Sequence, residues 1–247
     1  MIDRGCEDLY FSHAADRAAA FRFLKVDVAR RLVGGDMASF SRSPAVLIGL
    51  MTSEGQSTLE IIRQLRAREP HVGVYVLVGR LSEAAGCMTQ LAEVGVDEVF
   101  CLESRSDLVA LHRTLGARLA APPPEAEMRL LWKWFRDSPE RSLVMHCVRN
   151  GFRLDDWSVR ARLFAACRKT IQNRVTEEGL PSPGMIARCG RVLHAQELER
   201  RGYRPTSAIA RLLEFPSASA MQRTRRRLRK SLMTRGRGSL VFASLIR

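Results

Sequence analysis

The chain has 247 residues, 46% of them hydrophobic, and carries 40 Lys+Arg against 26 Asp+Glu, a formal charge of +14. That is enough for two ordinary domains and too apolar for a disordered chain, and no apolar run approaches the roughly 18 residues of a membrane span. Residues 1–124 hold 14 Lys+Arg against 15 Asp+Glu, whereas residues 125–247 hold 26 against 11, so the second half alone is suited to a polyanion. An arginine-favouring codon bias would act on both halves and does not account for the split. Cys6, Cys87, Cys101, Cys147, Cys167 and Cys189 show no zinc spacing; scattered single cysteines behind no signal peptide predict a reducing cytoplasm.

Asp8–Ser12 (DLYFS) reads as a first strand, Ala14–Asp27 as a helix with Phe21 and Leu24 three apart, and Arg31–Val33 as a short second strand. Ala45–Met51 (AVLIGLM) is a continuous apolar run after Pro44, the pattern of a strand covered on both faces. Leu59–Arg68 places apolar residues at 59, 61, 62 and 65, a helical spacing. Val72–Val78 (VGVYVLV) is the next buried strand. Ala84–Val94 is helical and stops at Gly95 as a C-cap. Val96–Leu102 (VDEVFCL) is a fifth strand and Asp107–Leu119 a last helix. Strands alternating with helices predict a parallel five-stranded sheet flanked by helices.

The order and loop lengths over roughly residues 6–120, carried by SPAVLIGLMTSEGQSTLEIIRQLRAREPHVGVYVLVG and LAEVGVDEVFCL, resemble the receiver domain of bacterial response regulators, a flavodoxin-like fold. In that family an acidic pair after the first strand holds magnesium and an aspartate ending the third strand accepts the phosphoryl group. A Thr/Ser and a Lys after the next two strands complete the switch. Carried over, these positions fall on Ser12 and His13, Gly49, Val78 and Leu102. Phosphoryl transfer needs a carboxylate nucleophile and a metal, so with Gly49 at the acceptor position no phosphorylation and no metal are expected. Asp16 and Glu54 are the weaker substitutes. The resemblance also implies a surface for a homodimer or another partner over about residues 84–119.

Ala120–Pro124 (AAPPP) marks a boundary, since three prolines cannot continue a helix. Glu125–Arg136 reads as a helix with Met128, Leu131, Trp132 and Phe135 on one face, expected to dock one half on the other. The domains are therefore 1–121, a connecting segment 122–138, and 139–247.

Pro139–Asn150 reads as a helix with Leu143, Val144 and Cys147 inward and Gly151 after its end. Asp155 or Asp156 caps the next helix, which carries Val159, Leu163 and Phe164 and breaks near Ala165 and Ala166. The following helix, about 168–178, puts Ile171 and Val175 on its buried side and Lys169, Gln172, Asn173 and Thr176 on the other. Gln and Asn pair with adenine through two bonds. Ser182 as N-cap and Pro183 at the first helical position open a connector with an apolar stripe at 185, 186, 189, 192 and 193, ended by Gly202. About 19 helical residues rise roughly 28 Å, against about 34 Å between successive major-groove faces.

A second helix pair repeats the first. Ile209, Leu212 and Leu213 point inward, Phe215 plugs the turn and Ser217 caps the last helix. Met221, Thr224 and Leu228 share one side of that helix, and Ser219, Gln222, Arg223 and Arg226 another. Arg223 or Arg226 is suited to grip a guanine, and Arg225, Arg227, Arg229 and Lys230 are assigned to phosphates. The tail TRGRGSLVFASLIR reads either as a phosphate-touching arm or as an element docked on a partner or on the body.

RKTIQNRVTEEGLPSPGMIARCGRVLHA and TSAIARLLEFPSASAMQRTRRRLRK, within about residues 139–232, resemble the AraC/XylS family of transcription regulators. That family's two helix-turn-helix units, bridging helix and base-reading positions map onto the residues above. Glu214 departs from the family's Gly before the Phe, and Arg160 from its usual apolar residue. Polar faces on short helices are usually just solvated; the duplication and the basic surplus favour DNA.

The expected fold class is thus α/β followed by all-α: a receiver-like five-stranded domain, then a double helix-turn-helix domain. The expected function is sequence-specific regulation of transcription without aspartyl phosphorylation, in the cytoplasm at the nucleoid. Its partners would be double-stranded DNA, a second copy, and RNA polymerase or a second regulator, with no membrane. The alternative is an interaction module that captures another regulator through its receiver-like half and holds DNA only unspecifically. No enzyme activity or cofactor is expected, because His13, His71, His112, His146 and His194 lack a paired carboxylate or Cys at a motif spacing.

Overall fold

In the computed structural model the described residues are 45–51, 57–151, 161, 163–234 and 237–246. The chain divides into two units, Met1–Leu119 and Ala120–Arg247. The strands expected at 8–12 and 31–33, the helix at 14–27, and Ser12, His13, Asp16, Glu54, Asp155, Asp156, Val159 and Arg160 lie outside the described residues.

In the first unit the apolar runs form β1 (Ala45–Ile48), β2 (Gly73–Val78) and β3 (Glu98–Cys101), all parallel and ordered β1-β2-β3. Ala45 pairs with Gly73 and Ile48 with Val76; Tyr75 pairs with Glu98 and Val78 with Cys101. This corrects the expected five-stranded receiver sheet: among the described residues the sheet has three strands. Those three are the segments buried at nearly every position, as a parallel sheet covered on both faces requires.

Between the strands lie α1 (Leu59–Arg68) and two short helices, α2 (Leu81–Ala85) and α3 (Met88–Glu93); α4 (Arg105–Ala120) follows β3. Leu47, Tyr75, Leu77 and Phe100 of the sheet pack with Leu111 and Leu115 of α4. The single helix expected over 84–94 is interrupted at Gly86 and Cys87. Gly95 ends α3 as expected, at φ +89°, with Val96 N–H donating to the Leu91 carbonyl at 2.9 Å. A buried polar lock ties helix to sheet: Arg66 of α1 donates to the Gly95 carbonyl at 2.8 Å, to the Val72 carbonyl, and to Asp97 Oδ2 at 2.9 Å. Asp97 Oδ2 also accepts the Val74 N–H at 2.9 Å.

In the second unit the described residues form α5 (Glu125–Trp134), α6 (Arg141–Arg149), α7 (Arg168–Glu177), α8 (Pro183–Arg200), α9 (Thr206–Leu212), α10 (Ala218–Met233) and α11 (Arg237–Leu245). The apolar face of α5, expected to join the halves, is used within this unit: Met128, Leu131 and Phe135 share a core with α6, α7, α8, α10 and α11. α8 is the central element. The stripe at 185, 186, 189, 192 and 193 is buried as expected, but so are Ala187, Gly190, His194, Ala195 and Leu198. It is a core helix rather than an outlying spacer, as an element buried nearly all round must be.

α6 and α8 cross at backbone contact. A Cβ on Gly190 would stand 2.6 Å from the Val148 carbonyl oxygen, and one on Gly151 would stand 2.6 Å from the Arg191 nitrogen. The C-terminal segment docks on the body: Phe242 and Ile246 are buried, and Phe242 meets Phe135 with ring centroids 6.0 Å apart. No helix among the described residues is long and apolar enough to cross a membrane.

Candidate nucleic-acid interface

Two corners in the second unit have one geometry. In the first, Ala165 takes φ +46° and the Ala166 N–H donates back to the Ala161 carbonyl at 3.2 Å; α7 then begins after Cys167. In the second, Glu214 takes φ +56° and the Phe215 N–H donates to the Ala210 carbonyl at 2.8 Å; α10 then begins after Ser217. This six-to-one bond closes a helix that turns through one left-handed residue. A non-glycine stands at that residue both times, so Glu214, flagged in the sequence, has a counterpart in Ala165.

On α7, Ile171 and Val175 are buried, Lys169, Asn173 and Thr176 are exposed, and Gln172 is half-buried. The predicted reading residues thus share the outer side. The Thr176 hydroxyl donates to the Gln172 carbonyl at 2.8 Å, so its proton is committed to its own helix. Arg174 Nε reaches sideways to the buried Glu140 at 2.7 Å, pinning α7 to the start of α6. Cys167, exposed at the start of α7, lies 3.2 Å from the Thr170 hydroxyl. That contact and the backbone N–H groups of Thr170 and Lys169 hold its thiol below the ordinary range, whereas burial pushes the Cys189 thiol of α8 up to about 12.

On α10, Met221, Leu228 and Leu232 are buried, Ser219, Arg223 and Arg226 are exposed, and Gln222 and Thr224 are half-buried. Ser217 caps the helix as expected, its hydroxyl oxygen accepting the Ala220 N–H at 3.0 Å. Ser182 caps α8 less fully than expected, because its carbonyl rather than its side chain takes the Met185 and Ile186 N–H groups. Arg227, Arg229 and Lys230 are exposed. Arg225, expected on phosphate, instead donates to Glu199 of α8 at 3.3 Å. Arg200 and Arg201 pair with Glu197 at 2.8 and 2.6 Å, so the acids at the end of α8 are met from both sides.

α7 and α10 both pack against α8. Arg191, missed in the sequence, joins the end of α6 to the second corner: its Nε donates to the Gly151 carbonyl at 3.2 Å, and its guanidinium lies 5.7 Å above the Phe215 ring. Burial pushes the Arg191 guanidinium down from its ordinary value, and the Glu214 carboxylate opposes that. The sequence signal was an arginine standing between the apolar residues Cys189 and Val192 of the buried stripe.

In the first unit Gly49 is buried at the end of β1, its carbonyl accepting the Thr58 hydroxyl at 2.6 Å. Val78 is buried at the end of β2, and Leu102 follows β3, its N–H on the Val78 carbonyl at 2.8 Å. His71 Nδ1 stands 3.6 Å from a Glu69 carboxylate oxygen, a pairing that the sequence did not announce. No protein-family model, curated protein or solved structure matches this chain.

Proposed function

We propose that the chain is a sequence-specific regulator of transcription that reads double-stranded DNA through α7 and α10. The observation that carries the reading is the repeated corner: two turns closed by the same six-to-one bond, each followed by a helix with one face buried and a polar, basic face exposed. Both sit on α8, whose 18 residues rise about 27 Å, a length suited to two readers addressing neighbouring turns of one duplex. The resemblance to the AraC/XylS regulators and the surplus of 26 Lys+Arg over 11 Asp+Glu in residues 125–247 support the same assignment.

In this reading Gln172 and Asn173 address adenines, Arg223 or Arg226 grips a guanine, and Lys169, Thr176, Ser219 and Gln222 complete the two faces. Arg227, Arg229 and Lys230 hold phosphates. The test is affinity for a duplex chosen from the chain's own occupancy profile against a random duplex. Gln172→Ala and Arg223→Ala should each weaken the cognate complex about tenfold or more, the size of one two-bond base contact, and leave the random complex within about threefold. Equal losses on both duplexes would remove base reading and transfer support to the interaction module with unspecific affinity.

A further inference from the structure

Among the described residues of the second unit an apolar groove lies open between α5 and α11. Leu130, Lys133 and Trp134 line one wall and Leu240, Val241 and Leu245 the other, around a volume of about 520 Å³. Leu130, Trp134 and Leu240 are 56%, 64% and 47% exposed, while Met128, Leu131 and Phe242 of the same helices are fully buried. Each helix has thus filled the core with one face and presents a second apolar face to water. Single exposed apolar residues are ordinary, but several converging on one groove mark an interaction surface.

Charge and area identify the occupant. Lys133 is the one charged residue of the lining, within a segment carrying 26 Lys+Arg against 11 Asp+Glu. A second copy seated there would set that surplus against itself, whereas an acidic partner gains from it. At typical side-chain areas the exposed parts of Leu130, Trp134 and Leu240 sum to roughly 350 Å², under half of the about 800 Å² that each partner of a stable interface buries. That is the footprint of one helix rather than of a folded domain. The walls, 10 and 9 residues long, rise about 15 and 13 Å, two to three turns of such a helix.

We propose that this groove receives a short amphipathic helix of a partner protein. Its apolar side chains at i, i+3 or i+4 and i+7 would rest on Leu130, Trp134 and Leu240, and a carboxylate would lie against Lys133. The proposal is independent of DNA reading.

The test uses the full chain and a labelled helical peptide of about 14 residues with leucines at that spacing and glutamates beside them, read by fluorescence anisotropy. Controls are the same composition scrambled and the same peptide with lysine for glutamate. The glutamate peptide should bind at least tenfold more tightly than either control. Leu130→Glu and Leu240→Glu should each cost tenfold or more while the melting temperature stays put, because both side chains are exposed. Lys133→Glu should reverse the preference between the two charged peptides.

Equal binding of scrambled and ordered peptides overturns the proposal, as does a Lys133→Glu variant with unchanged preference. Concentration-dependent dimers that Leu130→Glu dissolves would assign the face to a second copy. Binding to phosphatidylserine vesicles that Leu130→Glu abolishes would assign it to a lipid surface. Either result also overturns the proposal.

Discussion

Glu214 and Ala165 sit at φ +56° and +46°, where a Cβ crowds the following carbonyl and costs roughly 1 kcal/mol. Each corner retains that cost because the six-to-one bond and the start of the next helix fix the turn. Ala165→Gly relieves the crowding and removes only a methyl group, offset in part by the greater freedom glycine gains in the unfolded chain. Glu214→Gly relieves it too but also removes the carboxylate whose field favours the charged Arg191. Ala165→Gly should therefore stabilise the chain by about 0.5–1 kcal/mol, a rise of about 2 °C in melting temperature, and Glu214→Gly by less. Thermal melts followed by circular dichroism measure both. A fall in melting temperature for Ala165→Gly would show that the turn is not the strained element.

The α6–α8 crossing makes the corresponding point for elements. Gly190 has the Val148 carbonyl oxygen and Cα at 2.6 and 2.7 Å from where a Cβ would stand, and both are backbone atoms that move only with their helix. Gly190→Ala should force the two helices apart and cost about 2–3 kcal/mol, lowering the melting temperature by about 5–10 °C. A variant that melts with the parent would mean that α6 and α8 are not held at this distance.

The apolar stripe of α8 was legible because helical period alone selects 185, 186, 189, 192 and 193. The crossing was not, because period says which residues are apolar and nothing about whose backbone approaches a glycine. The same limit hid the Arg66–Asp97 lock, whose partners are 31 residues apart. It also sent Arg225 to phosphate, since in a run of basic residues the sequence does not mark the one that faces Glu199. The apolar segments of β1, β2 and β3 were readable from continuous apolar runs, whereas the number of strands was not, because short runs flanked by charge carry no count.

At the scale of the whole molecule the two units differ in what they bring to a polyanion. Residues 1–124 carry 14 Lys+Arg against 15 Asp+Glu, so under the proposed function any attraction to DNA has to come from the second unit. There the exposed basic residues on α7 and α10 include Lys169, Arg223, Arg226, Arg227, Arg229 and Lys230, while Arg174 and Arg225 are occupied by Glu140 and Glu199. If these six sit near phosphates, binding releases about 0.9 counterion for each, and the logarithm of affinity falls against the logarithm of salt with a slope of about −5. Raising salt from 50 to 200 mM should then weaken the complex of the full chain by about a thousandfold. Arg227→Ala or Arg229→Ala should make the slope shallower by about one on every duplex, because a phosphate contact carries no sequence. Arg223→Ala should change the slope by a similar amount but also erase discrimination at one base pair. A slope near zero, measured by anisotropy across that salt range, would separate the basic surplus from DNA altogether. In that event the two polar helix faces would be solvated surface.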